Sequence, residues 1–594
     1  MVSRSSGKRS IKKSLNRAKG QPKGSARKKV GKVAGKSAKT RKGKGRAGSD
    51  APVADEPAKA LTPREKLVIE RAAAAKRKET VSFISSVFFG CCFIGALFAL
   101  LLEPKLGVAA GGALMCLVLS FKYQRLALYA FIIYVPFAGT VIYALGGNPI
   151  LQLAKDVFYF PALIGVYQFC KKNRLPIILP RAIKPPLILL TIIVIVTALV
   201  ANVPDQIIGG AGNSLPIVMA IWGAKVIFGY VPLVACMYYL IRNKEDLIFI
   251  LRMQAVLVLV ACSLGMIQYL MLRTNICAGT QGIGEDLFRA SLEARCFVGG
   301  SLLYSPSVGQ IRLPGTFVAP WQWGWFLISG AFFSFGTTFS DESPLWRGVG
   351  LVSLVAVIIM ALVSGQRIAL VLVPFSIGLL TILTGQVANL KRFLPIGIAL
   401  GLILTYLAFN NPQVIETRVA SLLSRWEASP PQQFITEQFE QVWKEQEGIF
   451  GQGVGRATNS ARKFGKTTLL ETYHPKIIFE LGPLGLIAVL ALYTTLTVVT
   501  FKVYRNTKDK NLRSYAASMW VFIFFISYSP YYYPLDVDPV AVYYWLAAGI
   551  VLKIPELERQ EREKAEALAL EAAGVAPVPS QKRRKRGRNQ PTFN

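Results

Sequence analysis

The sequence predicts an all-α integral membrane protein, a polytopic bundle of about 12–14 transmembrane helices with a large extracytoplasmic loop. Three observations predict it. Hydrophobic residues make up 52% of the 594-residue chain and charged residues only 17%, a balance too apolar for a soluble enzyme of this size. Runs of roughly twenty apolar residues, the length that crosses a bilayer, recur along the chain. Lys and Arg collect in alternate connections between these runs, as cytoplasmic loops do.

Residues 1–80 are expected to form a disordered basic cytoplasmic tail. The first 60 are rich in Lys, Arg, Gly, Ser and Ala and contain no aromatic residue, so they cannot bury a core. Much of the formal net charge of +36 lies in this tail, with a second cluster at Lys582–Arg586. A uniformly basic surface would point to nucleic acid. A basic tail on a membrane protein instead holds the adjoining loop in the cytoplasm and contacts anionic lipid, so no nucleic-acid partner is expected. A signal peptide would need an apolar stretch near the start and a small-residue cleavage site. The first apolar segment is therefore expected to stay as an anchor.

Candidate spans run near 81–102, 106–121, 126–146, 152–169, 185–203, 216–241, 246–271, 316–337, 347–363, 367–385, 393–409, 477–501, 514–530 and 537–553. The second is short and the fourth carries Lys155 and Asp156, so the count lies between twelve and fourteen. With the N-terminus inside, the cytoplasmic connections carry Lys122 and Arg125; Lys171, Lys172, Arg174, Arg181 and Lys184; Arg242 and Lys244; Lys391 and Arg392; and Lys502, Arg505, Lys508, Lys510 and Arg513. The outer connections 203–215 and 531–536 hold no Lys or Arg. Both termini then lie in the cytoplasm. The chain divides into a bundle over 81–409 with an outer loop at 272–315, a large outer loop at 410–475, three helices over 476–553 and a charged cytoplasmic tail over 554–594. Within the large loop, 413–427 and 432–446 have amphipathic helical character, and 555–573 reads as a charged helix.

Several residue patterns bear on chemistry. Most of the eight cysteines sit in apolar segments, and a single histidine without Cys-x-x-Cys spacing excludes a zinc site. Cys277 and Cys296 lie in a polar loop and can pair in an oxidising compartment. Gly451-Gln452-Gly453-Val454-Gly455 lacks the strand and ribose-binding acid of a dinucleotide site and reads as a tight, flexible surface turn. Gly465-Lys466-Thr467 fails as a P-loop because Ser460 stands where the first glycine belongs. His474, followed by Pro475, is expected at a helix N-terminus. It either caps a helix or acts as a general base beside a site that attracts phosphate. Arg367 at a helix start either snorkels or binds an anion, and Arg312 lies at the same level. Arg273, Arg289, Arg295, Arg312, Arg418, Arg425, Arg456, Arg462, Lys463 and Lys466 all fall in the two long outer loops. They predict either an electropositive, anion-binding face or merely solvated loops. Trp321, Trp323, Trp325 and Tyr531–Tyr533 form interfacial clusters that can also stack on sugars. Lys155, Asp156 and Lys225 are charges inside apolar segments, where such residues usually mark a functional path.

Three segments together resemble the O-antigen ligase and polymerase superfamily of bacterial membrane glycosyltransferases. Arg312-Leu313-Pro314-Gly315-Thr316-Phe317 is similar to its Arg-x-x-Gly-x-Phe stretch before a helix. Ser364-Gly365-Gln366-Arg367 is similar to its Ser-x-x-Arg at a helix start. The outer loop ending Ile449-Phe450-Gly451-Gln452-Gly453-Val454-Gly455, then His474, then Phe479-Glu480-Leu481-Gly482-Pro483-Leu484-Gly485-Leu486, follows the family's order of glycine turn, His and Glu-x-Gly helix. The likeness covers roughly 310–553. It departs from the family at Pro475, which takes the place of an Asn, and at Glu471, which stands where an earlier His would fall.

The resemblance implies transfer or polymerisation of an oligosaccharide carried on a polyprenyl diphosphate, at the outer face of the bacterial cytoplasmic membrane, for a surface or secreted polysaccharide. Arg312 and Arg367 would hold the diphosphate, His474 or Glu471 would serve as base, and Trp321 and Trp323 would contact glycan. No cofactor or metal is implied. The acceptor is a second glycan or a lipid, and the polymerase form is the preferred one. A solute or anion transporter of the same superfamily is the alternative. Its charges within the membrane would line a path, although the sequence shows neither repeated halves nor paired broken helices.

Overall fold

The computed structural model describes residues 63–572, apart from short stretches at 102, 148, 177–178, 209–212, 282–285, 307–309, 447 and 533 and most of 388–429. In chain order the helices are α1 (Pro63–Leu101), α2 (Pro104–Lys122), α3 (Gln124–Tyr134), α4 (Ala138–Ala144), α5 (Ala154–Lys172), α6 (Lys184–Thr197), α7 (Val203–Ile207), α8 (Pro216–Phe228), α9 (Leu233–Leu240), α10 (Lys244–Arg273) and α11 (Leu287–Glu293). A two-stranded antiparallel hairpin follows, β1 (Leu303–Ser305) and β2 (Gln310–Arg312). Then come α12 (Pro320–Ser340), α13 (Pro344–Val363), α14 (Arg367–Leu383), α15 (Pro431–Glu445), α16 (Tyr473–Asn506), α17 (Lys510–Tyr528) and α18 (Val540–Ala572).

The described chain is a polytopic all-α bundle, and nine of its helical stretches are long and apolar enough to cross a membrane. Thirteen of the fourteen predicted segments coincide with helices. The other, 393–409, lies largely outside the described residues, as do most of 413–427 and residues 1–62. Two helices are apolar on every side because protein surrounds them. In α12 every residue from Trp323 to Thr338 is buried, and in α18 every residue from Val540 to Val551. In contrast, α1 presents Phe88, Phe89, Phe93 and Leu97 outward, as a helix facing lipid must.

The tail expectation needs one correction. Residues 63–80 belong to α1, which continues unbroken into the first apolar segment. Ala, Glu, Lys and Arg dominate this stretch and are strong helix formers. A helix already nucleated by its apolar half extends into them at no nucleation cost.

The helices are also more interrupted than apolar periodicity suggests. Pro136 divides α3 from α4. A π-helical turn at Ala198–Asn202 joins α6 to α7. The chain breaks between α8 and α9 at 229–232, where Tyr159 Oη donates to the freed Gly229 carbonyl at 2.9 Å. In α16, Gly482 takes φ 74°, and a Cβ there would lie 2.2 Å from the Ile449 carbonyl oxygen. Only glycine tolerates both conditions.

Contacts sort the connections into two ends. At one, Arg125 pairs with Asp246, Lys244 with Glu342 and Arg252 with Asp341. There too Asn511 donates to Glu342, and Glu558 accepts from the backbone of Lys508 and Asp509. At the other end, Thr140 N donates to Thr316 O, Leu215 N to Phe464 O, Leu313 N to Ser364 O and Tyr473 N to Pro530 O. The basic connections meet one another, and the long segments 272–315 and 430–475 meet the short connections 203–215, 364–366 and 529–536.

Candidate functional site

The site candidates belong to the second end. Segment 272–315 is a small folded unit with its own core of Leu272, Cys296, Leu302, Tyr304 and Leu313. Cys277 and Cys296 are joined in a disulfide with Cα atoms 5.7 Å apart. Gln268 Nε2 donates to the carbonyl of Cys296 at 3.0 Å. The β1–β2 hairpin grows from this unit and ends at Arg312, which is exposed. The next backbone N–H, of Leu313, donates to Ser364 O at 3.0 Å. This bond fixes Arg312 against the turn Ser364–Arg367. Arg367 is the first residue of α14 and is half-buried.

The neighbouring tryptophans part ways. Trp323 is fully buried, with its ring stacked on Phe326 at 5.4 Å between centroids and the ring of Phe317 at 6.2 Å. It is a core side chain and cannot contact glycan, which corrects the sequence expectation. Two residues earlier on the helix, Trp321 packs on the core from its edge and is only half-buried. Trp325, also buried, donates from Nε1 to the Tyr532 carbonyl at 3.3 Å and so ties α12 to the 529–536 connection.

That connection also holds the start of α16. Thr472 and Tyr531 form an isolated antiparallel bridge, and Tyr473 N donates to Pro530 O at 2.7 Å. On the other side Glu471 N donates to Gln438 Oε1 of α15 at 3.1 Å. His474 is thus clasped in the first turn of α16, between α15 and the 529–536 connection. Its Nε2 is buried and has no hydrogen-bond partner among the described residues. Successive contacts thus link Leu313 to Ser364, Gln366 to Gly324 of α12, Trp325 to Tyr532, and the 530–531 backbone to the start of α16.

Sequence reasoning overlooked the groups beneath His474. Lys476 and Glu480 are fully buried one turn apart and 4.0 Å from each other. Lys476 also pairs with Asp536. Glu480 Oε1 accepts from Ala457 N at 2.8 Å and Thr458 Oγ1 at 2.9 Å, which anchors the 456–458 segment to α16. The i, i+4 spacing of Lys476 and Glu480 in an apolar run was the available signal. Two further pairs, partly buried, join Lys155 to Asp538 and Lys225 to the buried Asp156.

One expectation about the large loop changes. The turn Gly451–Gly455 is wedged into the bundle, not flexible at its surface. Gln452 N donates to Phe479 O at 2.7 Å. Asn202 brackets Val454, accepting from its N–H at 2.9 Å and donating to its carbonyl at 3.1 Å. Gly455, at φ 84°, lies against the Met219 carbonyl. Charge along the loop is uneven. Residues 410–475 hold seven Lys and Arg and seven Asp and Glu, but 456–466 carry four cations and no acid. Positive charge is concentrated on that short segment, where Arg456 pairs with Asp205 and burial pulls its guanidinium below the ordinary value.

Among the described residues, no three His, Cys, Asp or Glu side chains gather into a group that could hold a metal ion. The chain matches no protein-family model, and no curated protein matches it.

Proposed function

We propose that this chain is a membrane glycosyltransferase of the O-antigen polymerase and ligase type. It works at the outer face of the bacterial cytoplasmic membrane with both termini in the cytoplasm, 12–14 spans, and 272–315 and 410–475 as extracytoplasmic loops. The observation that supports the reading is that Arg312, the Ser364–Arg367 turn and His474, whose Nε2 is buried without a partner among the described residues, lie on connections linked through α12.

The donor is a polyprenyl-diphosphate-linked glycan. Arg312 and Arg367 hold its diphosphate, since a guanidinium binds phosphate oxygens in a fork and stays charged. The acceptor hydroxyl of a glycan or lipid attacks the anomeric carbon. The bond from that carbon to the diphosphate oxygen breaks, and the lipid diphosphate leaves with the bonding electron pair. Negative charge grows on the leaving group beside the two arginines, where fixed cations lower the barrier most. The hydroxyl proton passes to His474 Nε2, which has no hydrogen bond to break among the described residues but is buried and is uncovered as the acceptor enters. Glu471 is the alternative base. Trp321 stands nearby as a glycan contact, and anionic lipids surround the basic tail. The polymerase form, with a second lipid-linked repeat as acceptor, is preferred.

A transporter is the second reading. It is favoured by the break between α8 and α9 near the partly buried pairs Lys225–Asp156 and Lys155–Asp538, because broken helices next to intramembrane charge mark many solute sites.

The test is surface-polysaccharide length in a deletion strain complemented with wild type, Arg312→Ala, Arg367→Ala, His474→Ala or Glu471→Ala at equal membrane abundance. Wild type is expected to restore long glycan and the arginine and histidine variants to fail. Restoration by all variants, or a deletion that changes solute uptake but not glycan, removes the transferase reading.

A further inference from the structure

The segment that concentrates positive charge also borders an unusual apolar edge. Arg462, Lys463 and Lys466 are exposed, and none has an acidic partner among the described residues. Arg462 Nη2 donates to the neutral Oδ1 of nearby Asn459 at 2.9 Å, and no ion pair of theirs among the described residues holds the loop. Other groups do that. Ser460 Oγ accepts from Trp222 Nε1 at 2.8 Å, Phe464 O accepts from Leu215 N at 2.6 Å, and Gly465 packs on Met219. The three cations are thus carried on a rigid shelf over the start of α8.

The edge beside the shelf is made by the facing ends of two candidate spans, Arg181–Ile207 and Pro216–Leu240. Ile207 and Ile208 are 74% and 83% exposed and Leu215 is 44% exposed. Branched apolar side chains left this bare belong in hydrocarbon. A cationic shelf beside a bare apolar edge, at the level where a span ends, matches a phospholipid: phosphate against the cations, upper acyl chain against the isoleucines.

We propose that this edge, formed by 203–208, 213–217 and 459–466, is a binding site for an anionic glycerophospholipid of the adjoining leaflet. An acidic glycan would use the cations but gain nothing from the isoleucines, so the lipid fits both observations. The site is built from other elements than the Arg312–His474 confluence and does not depend on the transferase reading.

Trp222 lies under the shelf and serves as the reporter. The full-length protein is reconstituted in phosphatidylcholine vesicles containing increasing phosphatidylglycerol, with either lipid brominated near the glycerol end of its chain. Quenching that disappears in Trp222→Phe belongs to this site. Brominated phosphatidylglycerol is expected to quench at much lower mole fraction than brominated phosphatidylcholine. The preference should shrink at high salt. It should fall by roughly fivefold for each cation removed in Arg462→Gln, Lys463→Gln and Lys466→Gln. These side chains are exposed, and unchanged thermal unfolding of the triple variant verifies its fold. Equal quenching by the two lipids, or a preference that survives in the triple variant, overturns the proposal. So does displacement of the anionic lipid by an acidic oligosaccharide but not by added lipid. Should the triple variant not fold, salt-insensitive quenching of wild type overturns it equally.

Discussion

At the end of the bundle that gathers residues 122–125, 242–246, 341–347 and 508–513, cations and acids meet in water or at its edge. Arg125 and Asp246 pair at 2.6 Å with both side chains about one-fifth exposed, and Lys244 meets Glu342 at 2.6 Å with the carboxylate 55% exposed. At the other end the arrangement is inverted. Lys476 is buried with Asp536 and Glu480, while Arg312, Arg462, Lys463 and Lys466 are exposed with no ion pair among the described residues. The first end uses charge to lace helices together. The second hides the charges it needs for architecture and leaves others for something outside the chain. An exposed cation without an ion pair is open to a ligand; a laced one is not.

The contrast can be broken most forcefully at Lys476. Lys476→Met leaves Asp536 and Glu480 without their cation and is expected to cost about 3–5 kcal/mol, as breaking a buried pair does. Thermal unfolding in detergent should show it, and adding Asp536→Asn should recover part of the loss. A single variant as stable as wild type would mean the pair is not buried as described. Next in size, Cys277→Ser with Cys296→Ser opens a link spanning 19 residues and should cost about 3 kcal/mol. Reductant should reproduce that loss in wild type and do nothing to the double variant. At the laced end, Arg252→Ala strips a two-bond partner at 2.7 Å from fully buried Asp341. Ser343 N still donates to that carboxylate at 2.9 Å, so about 2 kcal/mol is expected. Smallest is Lys244→Gln, at under about 1 kcal/mol. The hydrogen bond from Lys244, then that from Asn511, holds the Glu342 carboxyl below its usual range. Its contribution is full above the unfolded-state pKa and is lost as pH falls through the lowered value. Acid titration of stability should therefore differ slightly between Lys244→Gln and wild type, only in the acid range.

The apolar runs made the helices legible, because span length and hydrophobicity are local properties of the chain. The alternation of Lys and Arg made the two sets of connections legible for the same reason. What stayed hidden depended on partners distant in sequence. Lys476 and Glu480 announce a pair by spacing, but Asp536 joins them from another connection. Trp321 and Trp323 look alike in sequence, yet only the direction of the core decides which one is sealed. Gly482 reads as one more small residue until the Ile449 carbonyl arrives beside it. The helical start at Pro63 could have been read from its Ala, Glu, Lys and Arg content, had net charge not dominated the reading.

The break in α16 has a consequence for assembly. An α-helix normally closes its own ladder, with each carbonyl taking the N–H four residues on. For Phe479 that residue is Pro483, which has none to give. The missing rung is supplied by Gln452, from a turn made earlier in the chain. Lipid offers no substitute donor, and an unmatched carbonyl there costs several kcal/mol. The upper part of α16 is therefore not a self-contained span: the glycine turn and the helix must settle together, and any later movement of the turn pulls directly on the segment that carries His474.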